Sequence, residues 1–512
     1  MGRDHANSRA ATDETAVGPD NVGALQPTWT LDNVSGVTST PIVADGVVYL
    51  GDWTGHVRAL DAATGGELWA ADLETPRVQA SVALDQERVF AGAFDPRIVA
   101  LDRETGDVLW ETVVHDHATA SIFGSPIHVD GLVIVGIGGF ENMGGTESPS
   151  FRGAIVALDA TTGEELWRYW TTQGDDTEGA GVSVWSTPAV DLDRGHIYFG
   201  TGQHYAPPTS DRSDSLIALD LATGKEVWVH QFTAGDVWAL ADPDSGLDAD
   251  VGAPPNLFPV GDTDAVGAGD KAGVYKALDR DTGEELWSTK LTEGGLQGGV
   301  MASAAVHDGS VYVTSNKAST TAELFALDQH SGDIRWQTDV EGHVVGPVTV
   351  ANGVVYVADN SGRISGFDAA EGERLWSHQT AAQAAGGIAV VDGTVYAGYG
   401  WWLLDAPEEP EGGLIAFRLD DDDLDGDAQV AEDSDVSGED VFRQSCGTCH
   451  GATGEGGSGP ALVGVDETLT AEETREIVRQ GRGQMPSWEN TLSDEEIDAV
   501  ADYVRSELAE NS

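Results

Sequence analysis

Both cysteines of the 512-residue chain fall within one heptapeptide, SCGTCHG at residues 445 to 451. Thiols spaced C-x-x-C serve as a redox dithiol, as half of a zinc site, or as the thioether anchors of a c-type haem, and His450 directly after Cys449 favours the haem. A redox dithiol belongs in a strand-to-helix unit, and a structural zinc wants four Cys or His ligands with a second pair nearby. Neither context surrounds this motif. Met485, in RGQMPSW at 482 to 488, supplies a soft side chain before a helix-like C-terminal stretch. A Met/His axial pair raises a haem's reduction potential, so the expected anchors are Cys446 and Cys449 and the expected iron ligands His450 and Met485.

The charge balance narrows the partners. Acidic residues number 87 and basic ones 26, a formal net charge of −61, with five lysines in the whole chain. Such a surface repels nucleic acid, whose binding rests on cationic contacts to phosphate. Self-repulsion of this size is tolerated where salt screens it, which points to a halophilic protein. No apolar run reaches the length of a spanning helix, and the first 18 residues lack the apolar centre of a signal peptide. Covalent haem c is normally attached outside the cytoplasmic membrane, so an extracytoplasmic location is expected, with an export signal not visible in this sequence.

The elements that must position any chemistry are repeats. ALDAATGGELW, ending at Trp69, recurs with variations ending at Trp110, Trp167, Trp228, Trp287, Trp336 and Trp376. In ALDxxTGxxxW the Asp and Thr can close a polar turn and the Gly supplies positive φ. The Trp then enters the next strand, where it can pack between neighbouring sheets. A lone four-stranded sheet cannot bury its faces, but a closed ring of them can. LIAFRL at 414 to 419 has a strand without its Trp, and LQPTWTL at 25 to 31 has a Trp without its strands. The repeat therefore predicts an all-β eight-bladed propeller over 22–419 whose last blade is completed by the N-terminal strand. Residues 1–21 are expected to be disordered, 420–435 to be an acidic linker, and 436–512 to be a small all-α domain. Unequal repeat spacing gives the middle blades the longest loops, where functional groups are expected.

Residues 436 to 508 resemble the small class I cytochrome c domains in the attachment motif, in Gly459–Pro460, in Met485–Pro486 and in the last helix with Tyr503; the resemblance gives Pro460 a role in orienting His450. An eight-bladed tryptophan-motif propeller joined to a cytochrome c resembles the quinohaemoprotein alcohol dehydrogenases that use pyrroloquinoline quinone (PQQ), above all the polyvinyl-alcohol dehydrogenase branch. The likeness spans about residues 25 to 418 and is sharpest in FRGAIVALDATTGEELWRYW, DADVGAPPNLF, GDKAGVYKALDRDTGEELW and GGLQGGVMASAA. It implies that Trp185 forms the floor under a flat quinone, that Lys271 is the cation beside the quinone carbonyl, and that Glu141 and Gln203 are calcium ligands, Gln203 standing where the family usually has Asn. Arg88 is a weaker match to a cofactor-carboxylate contact.

Three departures stand out. Ala239 follows Trp238 where the family often has its catalytic aspartate, leaving Asp236 and Asp242 as candidate bases. The adjacent-cysteine disulfide of many relatives is absent, and SPSFRG at 148 to 153 replaces the CCTFRG common in the polyvinyl-alcohol branch. The resemblance implies oxidation of a small or polymeric alcohol, polyol or sugar at PQQ, with electrons passing through haem c to an external acceptor such as a blue-copper protein, a cytochrome or a membrane oxidase. The rival expectation is a quinone-free docking scaffold carrying a cytochrome electron carrier, which Ala239 and Phe123 favour.

Overall fold

The structure, a computed structural model, describes residues 4–143, 148–174, 178–240, 246–295, 297–317, 320–400 and 412–420, and residues 438–506 with short gaps at 447–449, 451–453, 455, 457–458, 464, 466–467, 483–484, 486, 489–491 and 493. Asp242, Cys449 and nearly all of the acidic linker lie outside the described residues. The chain divides into two compact units, Met1–Asp425 and Gly426–Ser512.

The larger unit is a ring of eight antiparallel sheets, here blades 1 to 8, each with four main strands. Blade 1 runs from Ile42 to Asp72, and its strands Ile42–Ala44, Val47–Gly51, His56–Asp61 and Glu67–Asp72 succeed one another from the inside outward. Blades 2 to 7 repeat this order. Blade 8 closes as expected, because Gln26–Val34 pairs antiparallel with Gly412–Arg418 as its outermost strand.

The repeated phrase is what locks blade to blade. Asp61 Oδ1 accepts from the backbone N–H groups of Ala63 and Thr64 and from the Thr64 hydroxyl, which closes the turn between the third and fourth strands. Gly106, φ 76°, in the same turn of blade 2, lies flat against the Trp69 indole, whose Nε1–H donates to the Arg103 carbonyl at 3.1 Å. The same docking joins Trp110 to blade 3, Trp167 to blade 4, Trp228 to blade 5, Trp287 to blade 6 and Trp336 to blade 7. Trp29 repeats it from blade 8 onto Ala62 of blade 1. The seventh repeat Trp, Trp376, meets no glycine turn and packs edge-on to Phe417 instead.

The expectation of a disordered N-terminus is corrected. Residues 4–21 pass the inner strands of successive blades, bonding the innermost strands of four blades in turn and the turn after the innermost strand of a fifth. The carbonyls of His5, Ala6, Ser8 and Arg9 accept from Val190, Leu257, Val306 and Val350, and the Glu14 carboxylate accepts from Gly393 N–H. All but the Glu14 bond are accepted by backbone carbonyls, which leave no apolar period to read in the sequence. A cavity of about 810 Å³ lies between this strap and the inner strands.

The smaller unit has helices Gly438–Val441, Ala471–Gln480 and Asp494–Ser506 around Val441, Phe442, Cys446, Val478, Ile497 and Val500. Thr470 and Glu473 form a reciprocal capping box on the middle helix.

Glycines test the docking directly. At Gly224, φ 66°, an added Cβ would lie 2.5 Å from the Trp167 ring, whereas at Gly195, φ 65°, it would meet nothing within 4 Å. Gly195→Ala is expected to cost about 1–2 kcal/mol from backbone strain alone, and Gly224→Ala about 2–5 kcal/mol with the overpacking added. Denaturant unfolding of both variants measures this; equal losses would contradict the docking.

Candidate functional site

Successive strands run in opposite directions, so two sets of connections meet on one face of the ring: the turns between second and third strands, and the links from each outer strand to the next inner one. The expected residues Glu141, Gln203 and Lys271 lie in turns of the first kind, and Trp185 in a link of the second kind. The links are tied side by side. Thr40 N–H donates to the Ser81 hydroxyl, Ser81 N–H to that of Ser125, and Ser125 N–H to that of Thr187. Two residues before Ser81, Ser125 and Thr187 stand Gln79, Phe123 and Trp185, which therefore occupy equivalent places around the axis.

Trp185 is seated on glycine. A Cβ at Gly252 would fall 1.8 Å from its ring, so only glycine allows the link 246–255 to pass there. The Lys271 Nζ lies 5.6 Å from the indole centroid. The same ammonium is 2.9 Å from Asp248 Oδ1 and 2.9 Å from Asp250 Oδ2, with the carboxylates almost fully enclosed. Backbone bonds fix the group further: Lys271 N–H donates to the Asp250 carbonyl and Gly295 N–H to that of Lys271. Burial alone would pull the ammonium's pKa down, but the two carboxylates outweigh it and hold Lys271 above the ordinary lysine range.

Asp248 is the group that sequence reasoning missed. Burial, opposed by Lys271 and aided by Asp250, pushes its carboxyl up to about 6. Its Oδ2 is buried with no hydrogen-bond partner, while Oδ1 is taken by Lys271. A buried carboxylate with an open oxygen beside a cation is a general base in waiting. Asp236, expected as a base, is corrected. Its Oδ1 accepts from the backbone N–H groups of Trp238 and Leu247 and its Oδ2 from that of Ala249, so its oxygens are spent on holding the loop that carries Asp248. The nearby Asp214 is fully buried, and burial with the charges of Asp250 and Asp236 raises it far above the carboxylate range.

Glu141 and Gln203 approach the same region from blades 3 and 4. Glu141 Oε2 accepts from the N–H groups of Ser150 and Phe151, and its Oε1 lies 3.8 Å from His117 Nε2. Gln203 N–H donates to Asp250 Oδ1, and its side-chain amide donates to the Trp238 carbonyl, which leaves its amide oxygen for a ligand. Tyr205 spans the two loops through Gly139 and Ser183, and burial together with the charges of Asp250 and Glu141 raises its phenol. Among the described residues no three His, Cys, Asp or Glu side chains form a ready metal cage. Arg88 is removed from the site; it starts a second strand at the other end of blade 2 and donates to the Ala160 carbonyl. Ala239 follows Trp238, and Asp248 stands ten residues on from Trp238 in the same link. Phe123 packs edge-on to Phe140 with centroids 4.7 Å apart, which makes it part of an aromatic wall.

In the smaller unit Cys446 and His450 are buried, and His450 Nδ1 lies 2.8 Å from the Pro460 carbonyl oxygen. With Nδ1–H donated there, Nε2 is the nitrogen left to bind a metal. Met485 packs against the same core as Cys446.

Three comparisons with known proteins bear on these sites. Residues 1–293 match the family described as the glucose/ethanol/alcohol dehydrogenase β-propeller domain, residues 270–448 that of the outer membrane protein assembly factor BamB, and residues 434–504 that of cytochrome c oxidase, cbb3-type, subunit III. A polyvinylalcohol dehydrogenase of Sphingopyxis sp. is 31% identical, the alignment covering 65% of this chain and 59% of that protein. Quinohemoprotein alcohol dehydrogenase ADH IIB of Pseudomonas putida is 27% identical over 95% of this chain and 89% of its own length. The crystal structure of the quinohemoprotein alcohol dehydrogenase of Comamonas testosteroni has the same fold, with a TM-score of 0.69 at 21% identity over 99% of this chain and 95% of that one.

The seat of the indole is open to test. Gly252→Ala is expected to displace Trp185 and to weaken binding of a planar aromatic ligand at least about tenfold. Quenching of indole fluorescence during a PQQ titration measures it, and unchanged affinity would contradict the placement of Gly252 under the ring.

Proposed function

The chain belongs to the family of the glucose/ethanol/alcohol dehydrogenase β-propeller domain, and from that premise we propose that it oxidises an alcohol, polyol or sugar at a PQQ seated on Trp185, and that its cytochrome unit carries the electrons outward. One observation carries the reading: the open oxygen of Asp248 beside the Lys271 ammonium, over the face of an indole. The residues present fit the groups this activity needs. Trp185 offers a flat apolar floor and Lys271 a cation 5.6 Å from the centroid of its ring. Glu141 and Gln203 offer oxygens suited to calcium, and the remainder of the roughly six to eight oxygens such an ion takes would come from ligand and water. Cys446, Cys449, His450 and Met485 are the anchors and ligands for haem c.

When bound, PQQ supplies a two-electron acceptor and haem c a one-electron carrier. The protein's own part is to place and protonate. Asp248 Oδ2 takes the hydroxyl proton of the alcohol as the carbon is oxidised, and the proton rests on a carboxyl that burial has already made a better base. Lys271 keeps Asp248 ionised near neutral pH and presents positive charge where an oxygen gains electron density. Phe123 and Phe140 keep water from the indole side.

The compartment proposed is extracytoplasmic, since covalent haem attachment belongs there, and the acceptor is an external redox protein or membrane oxidase. No helix among the described residues is long and apolar enough to cross a membrane. A second reading, a docking scaffold without quinone, draws on the match of residues 270–448 to an assembly factor. It gives no use to a buried base and cation facing one indole, so the enzyme reading is preferred.

Reconstitution of the full-length protein with PQQ and calcium in high salt, followed by addition of alcohols while the haem spectrum is watched, tests the proposal. Reduction of the haem by an alcohol is expected; a protein that binds no quinone would support the scaffold. The pH profile adds a sharper test. Asp248 must be ionised to act, and burial sets its pKa at about 6, so kcat/KM should rise with pH through about 6 and be lost below it. Lys271→Met removes the charge that restrains this rise, so the acid limb should move to higher pH. A limb that does not move would remove Lys271 from contact with the base.

A further inference from the structure

The belt of hydroxyl bonds that ties the links of blades 1 to 4 runs into a proline. It passes from Thr40 through Ser81 and Ser125 to the Thr187 hydroxyl. In the link to blade 5 the next place belongs to Pro254, which has no hydroxyl to accept such a bond. The register follows from the contacts of two glycines: a Cβ on Gly136, in the second strand of blade 3, would meet Val184, and one on Gly200, in the second strand of blade 4, would meet Val251. Trp185 follows Val184 and Gly252 follows Val251, so Gly252 is the counterpart of Trp185 one blade on. The belt of hydroxyls thus has no acceptor to offer at the step where the indole overlies a glycine.

Asn7 of the strap crosses that step. Its side-chain nitrogen donates to the Pro188 carbonyl at 3.2 Å and to the Pro255 carbonyl at 3.1 Å. Pro188 stands three residues after Trp185 and Pro255 three after Gly252, so one amide grips the two links at matching places. Its neighbours keep the match, because the His5 carbonyl accepts from Val190 and the Ala6 carbonyl from Leu257, each five residues on. Asn7 is 2% exposed and has φ 53°, a left-handed conformation that Asn adopts more readily than most residues. Its own carbonyl accepts from Asn256 Nδ2 at 2.7 Å, and the same Nδ2 donates to the Ala304 carbonyl in the link to blade 6. Pro188 and Pro255 are buried, so loss of the amide would take a donor from two enclosed carbonyls.

We propose that Asn7 is a positioning residue for the site: by bridging Pro188 and Pro255 it sets the spacing between the link that carries Trp185 and the link that carries Gly252, and so the seat of the indole. The seat has no slack, since a Cβ at Gly252 would fall 1.8 Å from the Trp185 ring. A shift of one link against the other therefore moves the indole, and a planar ligand resting on it loses contact. The inference rests on the dehydrogenase reading, in which Trp185 carries PQQ; Asn7 acts through the two links and not on the ligand.

The test compares full-length wild type with two strap variants. Asn7→Gly keeps the left-handed backbone and removes the amide, while Glu14→Ala releases the strap from Gly393 of blade 8, away from the indole. Denaturant unfolding measures what each variant costs the fold, and indole quenching during a PQQ titration measures the seat. Both variants should lower the unfolding midpoint, but only Asn7→Gly should weaken PQQ binding, by about fivefold or more, with Glu14→Ala within about twofold of wild type. Combined with Gly252→Ala, which disturbs the same seat, the loss from Asn7→Gly should not add independently. Wild-type affinity in Asn7→Gly, equal weakening in both strap variants, or full additivity with Gly252→Ala overturns the inference and leaves the dehydrogenase reading standing. Wild-type protein that fails to bind PQQ overturns both. Should Asn7→Gly not fold, Asn7→Ser carries the same comparison: its shorter single donor cannot bridge both carbonyls, so PQQ binding should weaken by about threefold or more, and wild-type affinity refutes the inference.

Discussion

The Lys271 ammonium lies between Asp248 and Asp250 and over the indole of Trp185, and the rest of the site depends on that junction. Without the cation, two buried carboxylates would share a dry pocket and at least one would be protonated at neutral pH. Without the carboxylates, a nearly enclosed ammonium would be driven towards its neutral form. Together they keep a base ionised, a cation charged and a flat surface clear. Asp250 anchors the arrangement because it also takes the Gln203 backbone N–H and its carbonyl takes that of Lys271.

The propeller makes such a junction reproducible. Each blade offers one turn and one link to the same axial face, so residues far apart in sequence converge if they occupy matching places in the repeat. Gln79, Phe123 and Trp185 share one such place. The tryptophan-on-glycine contacts at the opposite face hold the blades in register, and the N-terminal strap ties four inner strands and the turn after a fifth together. One face is thereby committed to stability, and the other is free to vary in chemistry.

How much of this the sequence disclosed follows from how local each feature is. The haem motif is legible because Cys446, Cys449 and His450 act through spacing alone, and the ring is legible because ALDxxTGxxxW recurs with its turn chemistry intact. Blade 8 could be assigned from a strand lacking its Trp and a Trp lacking its strands. The base proposed at Asp248 was not legible. Asp236 and Asp248 are both acids in one loop, and only the backbone N–H groups on the first and the open oxygen of the second tell them apart. The strap was misjudged because its bonds to four inner strands come from backbone carbonyls, which carry no side-chain signature.

Haem reduction by an alcohol, followed by stopped flow in quinone-loaded full-length protein, tests the central claim most directly when wild type is set against Asp248→Asn. The substitution keeps the shape of the side chain and its contact distance to Lys271 but removes its basicity. The account predicts that quinone still binds while haem reduction slows by about a hundredfold or more. Reduction at the wild-type rate would mean that the proton leaves by another route and that the junction at Lys271 is not the reacting centre.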